Sequence, residues 1–110
     1  MIKLNQINEQ EAFRLKAYLP NRVLNTIRLF AEKHKVQKVI LFGSRARGTH
    51  TERSDIDIAV VGGDFDAFYW DIKENAHSLL MFDIVNMDDF TSDDLRKEID
   101  KDGITIYEKA

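Results

Sequence analysis

The chain has no cysteine, a single proline, five glycines among 110 residues, and no apolar run longer than four residues, as in Val39 to Phe42 and Ile58 to Val61. Without cysteine there are no disulfides, no thiolate nucleophile and no Cys-type zinc site, and His34, His50 and His77 lack ligand-like spacing. Four apolar residues fall far short of the roughly 18 to 20 that a spanning helix needs, so no membrane span is expected. Charges interrupt Met1 to Leu19, which argues against a signal peptide and leads us to expect a cytoplasmic protein. Gly/Ser linkers, repeats and low-complexity tracts are missing as well. One domain over 1–110 is therefore expected, with 1–19 as an N-terminal extension, 20–35 as a first helix and 36–107 as the core.

What is present is 44% apolar and 32% charged residues, enough for a chain of this length to remove roughly 60 to 70% of its unfolded surface from water. The formal charge of −3 hides an asymmetry: residues 1–54 carry 11 Lys/Arg against 4 Asp/Glu, whereas residues 55–110 carry 5 against 15. Such blocks are either solvated faces or a basic side that meets phosphates beside acidic positions that hold cations. A long nucleic-acid partner is disfavoured, because the overall balance lacks a positive excess.

From Pro20 to Lys35, Val23, Ile27, Phe30 and Ala31 recur at helical spacing. Asn8 to Leu19 is a weaker helix candidate, with Asn8 as cap and Glu11 three positions on. Val36 to Phe42 and Ile56 to Val61 read as buried strands, the first ending at Gly43 and the second at Gly62-Gly63. A helix over 66–80, carried by Phe68, Ile72, Ala76 and Leu79, precedes a strand from Phe82 to Asn86. The last helix is expected to start at a capping box formed by Thr91 and Asp94 and to stop at Gly103 in a left-handed conformation, followed by a strand from Ile104 to Tyr107. The order implies an α+β, or mixed α/β, domain with a mixed β-sheet flanked by helices.

The most informative stretch runs from Gly43 to Asp57. Gly43 and Ser44 follow a buried strand and offer backbone amides and a hydroxyl to phosphate oxygens, and Arg45 and Arg47 add positive charge beside them. A P-loop is excluded, because Thr49-His50 stands where Lys-Ser/Thr must be. After ten intervening residues, Asp55 and Asp57 share one face of a strand start, while Ile56 and Ile58 take the other. Taken singly, Gly-Ser-Arg is an ordinary polar turn and Asp-x-Asp a solvated strand end. Coupled at this spacing, the pair of carboxylates calls for a hard cation such as Mg²⁺, whose remaining ligands are phosphate oxygens.

For Gly43 to meet Asp55 and Asp57, the first two strands must be antiparallel. If the second and third are parallel, Asp83 arrives beside Asp57. Three carboxylates then face a phosphate-binding turn, the arrangement of two-metal phosphoryl or nucleotidyl transfer. Tyr69 and Trp70 either join the core or form an apolar partner patch.

Gly43-Ser44, the ten-residue spacing, Asp55-Ile56-Asp57 and Asp83 resemble the signature of the DNA polymerase β-like nucleotidyltransferase superfamily. The run Leu41-Phe42-Gly43-Ser44-Arg45-Ala46-Arg47-Gly48 resembles its minimal nucleotidyltransferase (MNT) proteins. The likeness covers residues 36 to about 107. It implies that Asp55, Asp57 and Asp83 are catalytic and hold two Mg²⁺ ions, that Gly43, Ser44, Arg45 and Arg47 bind the nucleotide, and that ATP is the substrate. It further implies an antitoxin that transfers AMP to a tyrosine of a HEPN-domain partner, with homo- or hetero-oligomers open. Two rival readings are a partner-binding module without chemistry and transfer to a small molecule such as an antibiotic.

Overall fold

The computed structural model describes residues 19–75, 81–89 and 92–110. Helix α1 (Asn21–Lys33) starts after Pro20, whose φ of −58° suits a helix entry and whose carbonyl accepts the first helical bond, from the Leu24 amide at 3.0 Å. It buries Val23, Leu24, Ile27 and Ala31, while Phe30 packs at the margin of the core. The helix ends two residues before the expected Lys35. There, the amides of Lys35 and Val36 turn back to the carbonyls of Glu32 and Ala31, and Lys35 takes a φ of +60°. This is a Schellman closure, with lysine at the left-handed position that glycine usually fills. It also explains why strand β1 (Lys38–Phe42) begins later than the apolar pattern suggests, since the Val36 amide is already engaged.

After β1, the chain makes one short helix, α2 (Ser44–Arg47), where Gly-Ser-Arg alone suggests a polar turn. Strand β2 (Ile56–Val61), helix α3 (Phe65–Asn75), strand β3 (Phe82–Asn86), helix α4 (Asp93–Asp102) and strand β4 (Ile104–Glu108) complete the order. The four strands form one mixed sheet in the order β3-β2-β1-β4. β1 runs antiparallel to β2 and β4, and β2 runs parallel to β3, as the motif argument requires. The expected helix over Asn8 to Leu19 and the last five positions of the helix over 66–80, with His77 among them, lie outside the described residues, apart from Leu19, which is buried.

The alternation of side chains assigns the two sheet faces. On one face, Val39, Leu41, Ile56, Ile58, Val60, Ile104 and Ile106 meet α1 and α3 in a single apolar cluster. On the other, Ile99 and Leu95 of α4 cover Ile40, Phe42, Ala59, Val85 and Met87. α1 and α3 are also joined by a polar contact, from His34 Nε2 to Asp71 Oδ2 at 2.5 Å, which holds the Asp71 carboxyl below the usual carboxylate range. Phe68 is fully buried, whereas Trp70 is 59% exposed and leans edge-on against Tyr69 with ring centroids 5.2 Å apart. Trp70 is thus a surface residue rather than part of the core.

Both expected ends of α4 need correction. The cap is Ser92, whose hydroxyl accepts from the Leu95 amide at 3.2 Å, so the helix starts one residue later than a Thr91–Asp94 box would place it. Thr91 itself lies outside the described residues. Gly103 is extended (φ −64°, ψ 142°) rather than left-handed. Glycine is needed there for space, since a Cβ would lie 2.3 Å from the Ile99 carbonyl oxygen and 2.7 Å from Ile40 Cγ2. Among the described residues, no helix is long and apolar enough to cross a membrane.

Candidate functional site

Three strand ends and one turn meet at the α4 side of the sheet. β1 finishes at Phe42, which pairs with Asp57 of β2, and Asp57 pairs in turn with Asp83 of β3. Neighbouring strands lie roughly 4.8 Å apart, so two carboxylates on one face at the same register are close neighbours. Ile56 and Ile58 are fully buried on the opposite face, which fixes Asp57 on the side of α4, and Asp55, two positions earlier, belongs to the same side. Asp55 and Asp83 are exposed, and Asp57 is half-buried.

The electrostatics of Asp57 follow from this geometry. Its carboxyl is pushed up to about 6, first by burial and then by the negative charges of Asp83, Asp55 and Glu98, with Arg47 opposing the rise. Glu98 was not among the expected site residues. It lies on α4 one position before Ile99, whose buried contact with Phe42 and Ala59 brings that side of the helix over the strand ends.

Gly43 has φ +74° and ψ −156°, and a Cβ there would lie 2.1 Å from Asp57 Oδ2. Glycine is therefore required for a carboxylate to lie against the backbone of the turn, in addition to any approach by phosphate. The carbonyl of Gly43 accepts from the amides of Ala46 and Arg47, both at 3.1 Å, and this turns the chain into α2. Ser44 is partly exposed at the start of α2.

The two arginines part company. Arg47 is exposed at the turn and approaches Asp102 of α4 at 3.9 Å, so it remains beside the carboxylates. Arg45, expected to serve the nucleotide alongside it, is only 3% exposed. Its guanidinium donates to three backbone carbonyls, those of Ser54 at 3.1 Å, Glu52 at 3.2 Å and Thr51 at 3.4 Å. The side chain thus reaches across to the loop before Asp55, and burial lowers its pKa.

Among the described residues, no three His, Cys, Asp or Glu side chains are already gathered as a metal site. The available donors nevertheless suit a hard divalent cation. They are carboxylate oxygens only, on adjacent strands, with a repulsion at Asp57 that a cation would relieve.

Comparison with known proteins identifies the family. Residues 25–110 match the family described as polymerase beta, nucleotidyltransferase. A Methanocaldococcus jannaschii protein named "Putative protein adenylyltransferase MJ0604" is 64% identical over 33 residues, which are 29% of this chain and 33% of that protein. A second from the same organism, "Putative protein adenylyltransferase MJ1379", is 54% identical over 33 residues, 30% of this chain and 33% of that one. The matched segment thus spans about a third of the length of these curated relatives. Among solved structures, a toxin-antitoxin with AMP-PNP superposes with a TM-score of 0.63 at 27% identity, covering 78% of this chain and 73% of the other. A structure named "a putative nucleotidyltransferase from Sulfolobus solfataricus", at 16% identity and TM-score 0.55, covers 96% of this chain and 93% of its own and shares the fold. With its mixed sheet, its Gly-Ser turn and its carboxylates on adjacent strands, the chain belongs to the polymerase beta nucleotidyltransferase family.

Proposed function

We propose that this protein transfers a nucleoside monophosphate, AMP from ATP, to a hydroxyl of a partner protein, a tyrosine of a HEPN-domain toxin, and so acts as its antitoxin. The observation that carries the reading is the register Phe42–Asp57–Asp83, which sets two carboxylates side by side at the mouth of the Gly43-Ser44 turn. The relatives named as protein adenylyltransferases support the reaction class, and the neighbour with AMP-PNP supports an adenine nucleotide. Toxin-antitoxin structures at 25–27% identity, two of them named MntA-HpeT, support the kind of partner. One related structure is a variant in which two aspartates two positions apart are replaced by glutamate, the spacing of Asp55 and Asp57.

In this mechanism, Gly43 and Ser44 hold the triphosphate through backbone and hydroxyl donors, and Arg47 balances its charge. Asp55 and Asp57 would hold Mg²⁺ with the nucleotide, and Asp83 would complete a second site. Bound there, the ions supply Lewis-acid stabilisation of charge on the attacking and leaving oxygens. Asp83 orients the acceptor hydroxyl or takes its proton, the hydroxyl oxygen attacks the α-phosphorus in line, and pyrophosphate leaves.

The test uses the Asp83→Asn variant with α-labelled ATP and the partner under single-turnover conditions. Transfer should fall by about 10²- to 10⁴-fold while ATP affinity survives. Transfer at the wild-type rate would remove Asp83 from the reaction and overturn the three-carboxylate mechanism.

A further inference from the structure

Asp55 stands just outside the sheet. β2 begins at Ile56, and its ladders reach no further than Asp57 toward β1 and Ile56 toward β3. The peptide that follows Asp55 is tied to the entry of β3, the Ile56 amide donating to the Met81 carbonyl at 2.8 Å, so what remains to be fixed is the peptide that precedes it. The peptide joining Ser54 to Asp55 has its carbonyl held by Arg45 Nε at 3.1 Å, and the same guanidinium grips the carbonyls of Glu52 and Thr51. The loop is also closed on itself by the Thr51 amide to Ser54 Oγ at 2.9 Å and the Ser54 amide to the Thr51 carbonyl at 3.1 Å. Arg45 directly follows Ser44, so one buried side chain joins the phosphate-facing turn to the start of the carboxylate strand.

We propose that Arg45 is the positioning residue for Asp55, setting its carboxylate against the Gly43-Ser44 turn through the carbonyls of Thr51, Glu52 and Ser54 instead of binding nucleotide itself. The inference rests on the assignment of Asp55 as a cation-holding carboxylate in the proposed function. The planar fork of arginine suits the task, because its donors point in fixed directions to several carbonyls at once, whereas lysine offers one compact ammonium. Arg45→Lys keeps the buried positive charge and removes the fork.

The test measures Mn²⁺ binding to the full chain by electron paramagnetic resonance, together with amide hydrogen exchange. In the wild type, the Thr51 and Ser54 amides should exchange at least tenfold more slowly than unstructured amides. In Arg45→Lys, that protection should fall and Mn²⁺ binding should weaken by about 10- to 100-fold, the scale associated with losing a group that orients a metal ligand. Protection in β2 should be retained. In an Asp55→Asn background, Arg45→Lys should weaken Mn²⁺ no further, a result that general loosening would not give. Unprotected Thr51 and Ser54 amides in the wild type, or Mn²⁺ affinity in folded Arg45→Lys within threefold of wild type, would overturn the proposal. A wild-type chain that binds Mn²⁺ but transfers no nucleotide would sink the proposed function and leave this inference standing.

Discussion

Asp57 and Ile58 are consecutive residues of β2, yet they answer to opposite demands. Ile58 is fully buried in the apolar cluster shared with α1 and α3. Asp57 faces α4, half-buried among carboxylates that raise its pKa. The face under α1 and α3 is built for stability. The face under α4 has a smaller apolar cluster, and its end is given over to charges that repel one another. The alternation of a strand lets one segment serve both purposes without compromise, since neither side chain reaches the other's surroundings.

The strongest way to break this division is on the stable face. Ile58→Ala removes three buried carbon atoms from a packed site and should cost about 2–5 kcal/mol, out of the roughly 5–15 kcal/mol typical of a domain. Thermal unfolding should drop by roughly 10–20 °C. A fall of only a few degrees would mean that the two faces do not differ in their contribution.

Asp57→Asn tests the other face and should act with the opposite sign. A folded-state pKa of about 6 against an ordinary 3.8 means that the folded chain binds this proton more tightly than the unfolded one. Ionising Asp57 therefore lowers stability as pH rises from about 4 to 6, and the loss is complete above that window. Two pKa units correspond to about 3 kcal/mol, but the carboxyl is partly exposed and water screens it, so about 1–2 kcal/mol is the reasonable expectation. The asparagine variant should be more stable by that amount at pH 7.5 and equal to wild type near pH 3.5. Urea titrations at the two pH values check this, and a destabilised variant at pH 7.5 would show that the repulsions at Asp57 do not govern its contribution. Mg²⁺ should then raise the melting temperature of the wild type more than that of the variant.

The contrast between the faces also explains what was readable in advance. Strand β2, its partner strands and the register that sets Asp57 beside Asp83 follow from period-two patterning and one loop length, both properties of local sequence. The burial of Arg45 was not readable, because it depends on how the 51–54 loop folds back to offer its carbonyls. Glu98 escaped for a related reason: its place depends on how α4 is rotated about Ile99 over the sheet. Lys35 occupies a left-handed position without the glycine that would have advertised it. Gly103 carries the glycine but for a different reason, the approach of Ile40. In each case, the deciding contact depends on how a loop or helix folds back, or the local signal is carried by an unusual residue.

The smallest expected effect sharpens the comparison most, because it separates charge from stability on the α4 face. Arg47 approaches Asp102 at 3.9 Å, with Arg47 40% and Asp102 24% exposed. A pair this long and this wet contributes little, so Asp102→Asn should change stability by no more than about 0.5 kcal/mol. Its effect on nucleotide should be larger in relative terms. In the proposed function, Arg47 faces the triphosphate, and Asp102 competes for the same guanidinium. Removing that competitor, along with one negative charge near the site, should strengthen ATP binding about two- to fivefold at low salt. The gain should fade near 0.5 M NaCl, where the screening length is only about 4 Å. Calorimetric titration of both proteins at the two salt concentrations checks this. Weaker ATP binding in Asp102→Asn would mean that Asp102 holds Arg47 in its phosphate-facing position, making α4 a support for the nucleotide rather than a rival to it.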